Sequence, residues 1–331
     1  MCDSETEREL QKYLAEKRLK RRAFSAGLGA TATFLVVGCD SEDDPAPTDA
    51  GAKGSDATDA AKGSVAMDAG THASDVDDAS AGEGPKLTTK SSTVMIETPD
   101  GTINAFFVHP VTRKHAGIII WPDILGLRAA FETMATRLAE AGFAVVVTNQ
   151  YYRTAQEPVL KDWSEFNDEG RAKLMPHIAA ITPEGIKSDA ASLVEWLDEQ
   201  AAVDTGKKIG TSGYCMGGPY TFRTAASKPE RVGAFASLHG GGLVTMDEDS
   251  PHLLLPMITA SALIAIAQND DERAPDVKTE LKEAAADAGV EAEIEVYPAQ
   301  HGWCAIDSAA YDEEQADKAW TRMVAIFNDA L

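Results

Sequence analysis

From Gly117 onward, short strand-like runs, several of them apolar throughout, alternate with stretches of helical periodicity, a pattern that few architectures can satisfy. The runs are 117–121, 143–147, 208–212, 234–238, 263–267 and 294–297, and helical stretches lie near 129–141, 184–201, 277–288 and 312–331. Successive side chains of a strand point to opposite faces, so a strand that is apolar throughout must be covered on both sides. Parallel strands also need a long crossover between them, which the intervening helices supply. The expected fold class is therefore α/β: a mostly parallel central sheet with helices on both faces. Thr93-Val94-Met95-Ile96 and residues 103–108 flank the turn signal Pro99-Asp100-Gly101, so an antiparallel hairpin is expected to open the domain. Of the 331 residues 44% are apolar, enough for a full core. Trp121, Trp196 and Trp320 fall at apolar positions of these elements and are read as part of that core.

Between the run 208–212 and the small-residue helical stretch 218–227 stands Gly213-Tyr214-Cys215-Met216-Gly217. It puts a thiol where a G-x-S-x-G turn presents its serine nucleophile at the junction of a strand and a helix. A helix N-terminus pointing at the sulfur favours the thiolate, the reactive form. A buried structural cysteine is the competing reading, so partners elsewhere decide. In parallel sheets functional side chains gather beyond the carboxyl ends of strands. There, Gln268-Asn269-Asp270-Asp271 follows one strand and His301-Gly302-Trp303 follows the last. Cys215, Asp270 and His301 thus occur in the nucleophile, acid, base order of the α/β-hydrolase fold. Asp270 is nearer the strand end than its rival Asp271, and a one-residue difference in the loop would reverse that preference. His239 and His252 are read chiefly as satisfying local backbone groups.

The two ends of the chain differ in kind. Lys20-Arg21-Arg22-Ala23-Phe24 supplies a twin-arginine n-region, and residues 23–38 form a mildly apolar stretch too short to be a comfortable membrane span. Val36-Val37-Gly38-Cys39 resembles a bacterial lipobox, which implies lipidation at Cys39. Residues 1–39 are therefore expected to be an export signal. Residues 40–86, rich in Asp, Ala, Gly and Ser with almost no large apolar side chain, are expected to be a disordered acidic linker. Residues 87–331 are expected to form one catalytic domain. The expected location is the bacterial cell envelope, with membrane attachment only through the lipid. The net charge of -23 and the lack of a Lys/Arg cluster in the folded part argue against nucleic-acid binding. No spacing of Cys, His or carboxylates resembles a metal site, and no glycine-rich phosphate loop stands at a strand-to-helix turn, so no cofactor is implied. A monomer is expected.

Several motifs in order carry a resemblance. Gly213-Tyr214-Cys215-Met216-Gly217-Gly218, Ser237-Leu238-His239-Gly240-Gly241, Ser250-Pro251-His252 and His301-Gly302-Trp303 together resemble the dienelactone hydrolase family. Residues 122–128 and Tyr151-Tyr152-Arg153 are similar to the same group, and the likeness covers roughly residues 91–331. It implies a small-molecule ester or lactone substrate, with Cys215 as nucleophile, His301 relaying protons and Asp270 supporting His301. The backbone N–H groups of Met216 and Ile124 would form the oxyanion hole. Asp123, Arg153, Tyr214 and Trp303 would serve in substrate binding or in tuning the thiol, Arg153 by holding a substrate carboxylate. Asp123 stands where the best-known members carry a glutamate. A second carboxylate-binding arginine expected shortly after His301 is missing, since Cys304, Ala305, Ile306 and Asp307 follow Trp303. That departure loosens the substrate more than the reaction class. Two alternatives stay open: a noncatalytic ligand-binding lipoprotein on this fold, and a thiol redox sensor in which Cys215 and Cys304 pair.

Overall fold

The computed structural model describes residues 86–331 apart from Glu157. The expected export signal, the Cys39 expected to be lipidated and the expected linker up to residue 85 lie outside the described residues. Strand β1 (Thr89–Thr98) turns at Asp100 into β2 (Gly101–Pro110), and the two pair antiparallel from Thr98 opposite Gly101 to Thr89 opposite Pro110. The following strands are β3 (Gly117–Trp121), β4 (Ala144–Thr148), β5 (Ile209–Tyr214), β6 (Val232–Leu238), β7 (Ser261–Ala267) and β8 (Ala292–Tyr297). They join in one sheet of order β1-β2-β4-β3-β5-β6-β7-β8. Beyond the antiparallel β2–β4 contact, every neighbouring pair is parallel.

The inner strands are buried on both faces because they feed two cores in alternation. Ile119 and Trp121 of β3 enter one core and Ile118 and Ile120 the other. The first core is closed by α3 (Pro183–Glu199), α4 (Gly218–Ser227) and α6 (Val277–Ala288). The second is closed by α1 (Ala129–Glu140) and α7 (Glu313–Ala330). Helix α1 buries Phe131, Ala135, Leu138 and Ala139 along one stripe, as an amphipathic helix on a sheet should. Helix α3 starts where Thr182 accepts a hydrogen bond from Gly185 N–H and Pro183 occupies the first turn, a strong combination of start signals.

The segment from Asn149 to Thr182 holds structure that periodicity does not reveal. It contains a 3₁₀ turn, Trp163–Glu165, and the helix α2 (Asp168–Ala179). Helix α2 buries only Gly170 and Leu174 and carries Pro176 internally, so its apolar stripe is too thin to read. Its Leu174 nevertheless joins Leu125, Tyr151 and Leu160 in a small third core, with Ile124, Trp163 and Met216 packed against it. Helix α5 (Gln268–Arg273) replaces what reads as a loop after β7, a short turn too brief to leave a period.

Candidate active site

Strand β5 delivers Cys215 into a tight 3₁₀ turn that leads directly into α4. The cysteine has φ +52°, a left-handed conformation that costs a non-glycine residue roughly 1–3 kcal/mol and persists only where surroundings enforce it. The flanking glycines make the turn possible. A Cβ on Gly213 would lie 2.0 Å from the Gly217 carbonyl oxygen, and one on Gly217 would lie 2.3 Å from that of Trp121. The Cys215 N–H donates to His239 Nδ1 at 3.1 Å, which leaves the His239 ring proton on Nε2. Burial, and secondarily the neighbouring His301, hold His239 well below the usual histidine range, in keeping with a neutral acceptor. Its ring lies 5.0 Å from that of His301 and 5.1 Å from that of Trp303, both in tilted edge contacts. His252 Nδ1 meets Ser250 Oγ at 2.9 Å.

His301 follows β8 and is fixed at two points. Its N–H donates to Asn269 Oδ1 at 2.8 Å, and its Nδ1 lies 2.5 Å from Asp270 Oδ2. Cys215 also acts on this ring. Burial works against a charge on this imidazole, yet the neighbouring Cys215 and the bond to Asp270 outweigh it, so its pKa is pushed up to about 11. Asp271 points elsewhere: both of its oxygens meet Lys278 Nζ, at 2.6 and 2.8 Å. Asp270 is thus the acid placed against His301.

On the other side of the thiol, the loop after β3 is held by side chains that sequence reading did not single out. Gln150 Nε2 donates to the Asp123 carbonyl at 2.7 Å, as does the Gly126 N–H at 2.9 Å. A trans peptide points its N–H opposite its carbonyl, so these two bonds set the direction of the Ile124 N–H. The Tyr151 hydroxyl donates to the Ile124 carbonyl at 2.7 Å and lies 3.9 Å from Met216 Sδ, bringing Ile124 and Met216 together. Burial, with the nearby Tyr220, Asp123 and Cys215, raises the Tyr151 pKa well above the ordinary phenol value and keeps it a donor. Tyr151 lies beside the Arg153 that the motif drew attention to, and the motif alone does not say which of the two reaches inward.

Several residues expected at the site have other partners in the structure. The Asp123 oxygens accept from Arg128 Nη1 and Nη2 at 2.7 and 2.9 Å, and Oδ1 also accepts from the Leu125 N–H at 3.0 Å. Burial raises its pKa, and the Arg128 bonds oppose that shift. Arg153 has no fork to offer a substrate, because Asp100 and Asp189 occupy it at 2.7–3.0 Å and the Gly185 carbonyl takes a further N–H. Tyr214 and Trp303 are 3% and 0% exposed. Tyr214 packs on Phe131 and Trp303 stacks on Tyr297, so both are walls of the core beneath the site. Cys215 and Cys304 are free thiols, with Cys304 in the second core, where burial drives its pKa well above the usual thiol value.

This geometry meets an independent result, since the model of the dienelactone hydrolase family matches residues 103–331. The chain belongs to the dienelactone hydrolase family. It is thereby a hydrolase of the ester and lactone class. A "putative carboxymethylenebutenolidase" of Yersinia pestis is 25% identical over 224 residues, covering 65% of this chain and 79% of its own. Among solved structures, a "putative dienelactone hydrolase" from Klebsiella pneumoniae has a TM-score of 0.64 at 22% identity, covering 73% of this chain and 99% of its own. A dienelactone hydrolase-like promiscuous phosphotriesterase from metagenomic libraries has a TM-score of 0.60 at 18% identity, covering 73% and 98%. At these identities the two structures speak to the fold alone. Among the described residues no group of three or more His, Cys, Asp or Glu side chains is placed to hold a metal ion.

Proposed function

We propose that the chain hydrolyses carboxylic esters or lactones through a covalent thioester on Cys215, with His301 as acid and base and Asp270 as its support. The observation that supports this reading is Asp270 set against His301 Nδ1, with Cys215, on its strained turn, raising the charge of the same imidazole. A cationic His301 beside the sulfur stabilises the thiolate, which attacks the substrate carbonyl carbon. The N–H groups of Ile124 and Met216 receive the oxyanion, with Ile124 aimed by Gln150 and Tyr151. As the tetrahedral adduct collapses, His301 gives its proton to the departing alkoxide, which in a lactone stays attached to the acyl group. Water then attacks the thioester while His301 takes a proton from it, releasing the acid and restoring Cys215.

The test compares the full chain with Cys215→Ala and His301→Ala on p-nitrophenyl esters and small lactones. Each variant is expected to lose about a thousandfold or more in kcat/KM. Equal rates in all three proteins would overturn the assignment.

A further inference from the structure

Membership of the family leaves open which acyl groups the site accepts, and the charges around the thiol bear on that choice. Arg128 sits on the same loop as Ile124, only four residues on, and its side chain is 5% exposed. Besides Asp123, it holds Asp307 in a two-pronged pair, Nε to Oδ2 and Nη2 to Oδ1, both at 2.7 Å. Its Nη1 also donates to the Gly126 carbonyl at 3.2 Å. Asp307 is the accessible member of this cluster, at 31% exposure, and it lies on the loop that continues from His301. The cluster therefore spans the loop bearing one expected oxyanion donor and the loop bearing the expected base. It sets one guanidinium against two carboxylates.

The other cations of the motif segments are committed as well. Arg153 is bound by Asp100 and Asp189. On the acid side of His301, Arg273 meets Asp270 at 3.4 Å and Lys278 meets Asp271 at 2.6 Å. The third core, which reaches Met216 next to Cys215 in the chain, is largely apolar: Ile124, Met216 and, against the Arg128 guanidinium at 5.8 Å, the Trp163 ring pack on it, with the Tyr151 hydroxyl as its polar group. An alkyl or aryl acyl group gains by burial there, whereas a free carboxylate loses its water and meets an arginine already occupied.

We propose that the site selects uncharged acyl groups over acyl groups bearing a free carboxylate, and that Asp307 imposes the choice by occupying Arg128. This rests on the reading of Cys215 as the nucleophile. The probes are p-nitrophenyl butyrate and mono-p-nitrophenyl succinate, two esters with four-carbon acyl groups that differ in a terminal carboxylate. The full chain is expected to favour the butyrate by about tenfold or more in kcat/KM. Asp307→Ala, which leaves one edge of Arg128 open, is expected to narrow that ratio by about fivefold, mainly through the KM of the succinate ester. Asp307→Asn removes the charge while keeping the shape, and is expected to shift the ratio the same way should the alanine variant fold poorly. Equal or faster hydrolysis of the succinate ester by the wild-type chain would overturn the proposal. So would an unchanged ratio in both variants. Should the wild-type chain turn over neither ester, the hydrolase reading fails by itself. Calorimetric titration of Cys215→Ala with the same two esters then decides the selectivity, and equal or tighter binding of the succinate ester overturns it.

Discussion

His301 lies between a carboxylate and a sulfur, and both favour its charged form over the cost of burying it. Its pKa is raised from the ordinary 6.5 to about 11, so the stabilisation tied to its charge is complete below pH 6.5 and fades as pH climbs through about 11. Part of that shift comes from Cys215. Imidazole NMR resonances of His301 should therefore stay in the protonated position through neutral pH in the wild-type chain, with no break near 6.5. In Cys215→Ala the titration midpoint should fall. A midpoint unchanged by that substitution would mean that thiol and imidazole do not share charge. His239 stays neutral a ring's width away, and its role is to hold the Cys215 peptide by accepting its N–H.

Elements meet through charges that local patterning does not reveal. Arg153, just beyond β4, ties the β1–β2 turn at Asp100 to the middle of α3 at Asp189, whose side chain is 1% exposed. Burial raises the Asp189 pKa, and Arg153 and the Tyr152 hydroxyl counter it. Removing the guanidinium leaves a buried acid without its charge partner. Arg153→Met should thus lower stability by about 3–5 kcal/mol in urea unfolding. Where the variant remains folded, its kcat/KM on neutral esters should stay within about threefold of wild type. A selective rise in KM for carboxylate-bearing esters would instead return Arg153 to the substrate-binding role that the motif suggested. The α2 segment acts at the same scale, since Leu174 and Trp163 bring a third core to Ile124 and Met216.

At the scale of the whole domain, the two cysteines among the described residues lie in different surroundings. Cys215 tops the carboxyl end of β5 and is partly accessible, while Cys304 lies in the core shared by α1 and α7. Iodoacetamide labelling followed by peptide mass spectrometry should modify Cys215 in the native chain and Cys304 only on unfolding. Fast native labelling of both, or a peptide linking the two, would revive the redox reading. The sheet class was legible because an apolar run covered on both faces has few alternatives, and the helices between such runs leave only parallel neighbours. The turn at Cys215 was legible for a related reason. Its requirement for Gly213 and Gly217 is local, and the order of acid and base follows from strand ends that the runs themselves mark. Helix α2 was hidden by its thin apolar stripe, and the roles of Tyr151, Gln150, Arg128 and Asp307 by distance along the chain. Arg128 and Asp307 are 179 residues apart and meet only because two loops share one end of the sheet. Sequence by itself determined the architecture and the strained turn at Cys215, through burial and backbone sterics that act over a few residues. Only the tertiary structure decided which charges neutralise one another, and so which arginines remain free for a substrate, because pairing partners are chosen in space.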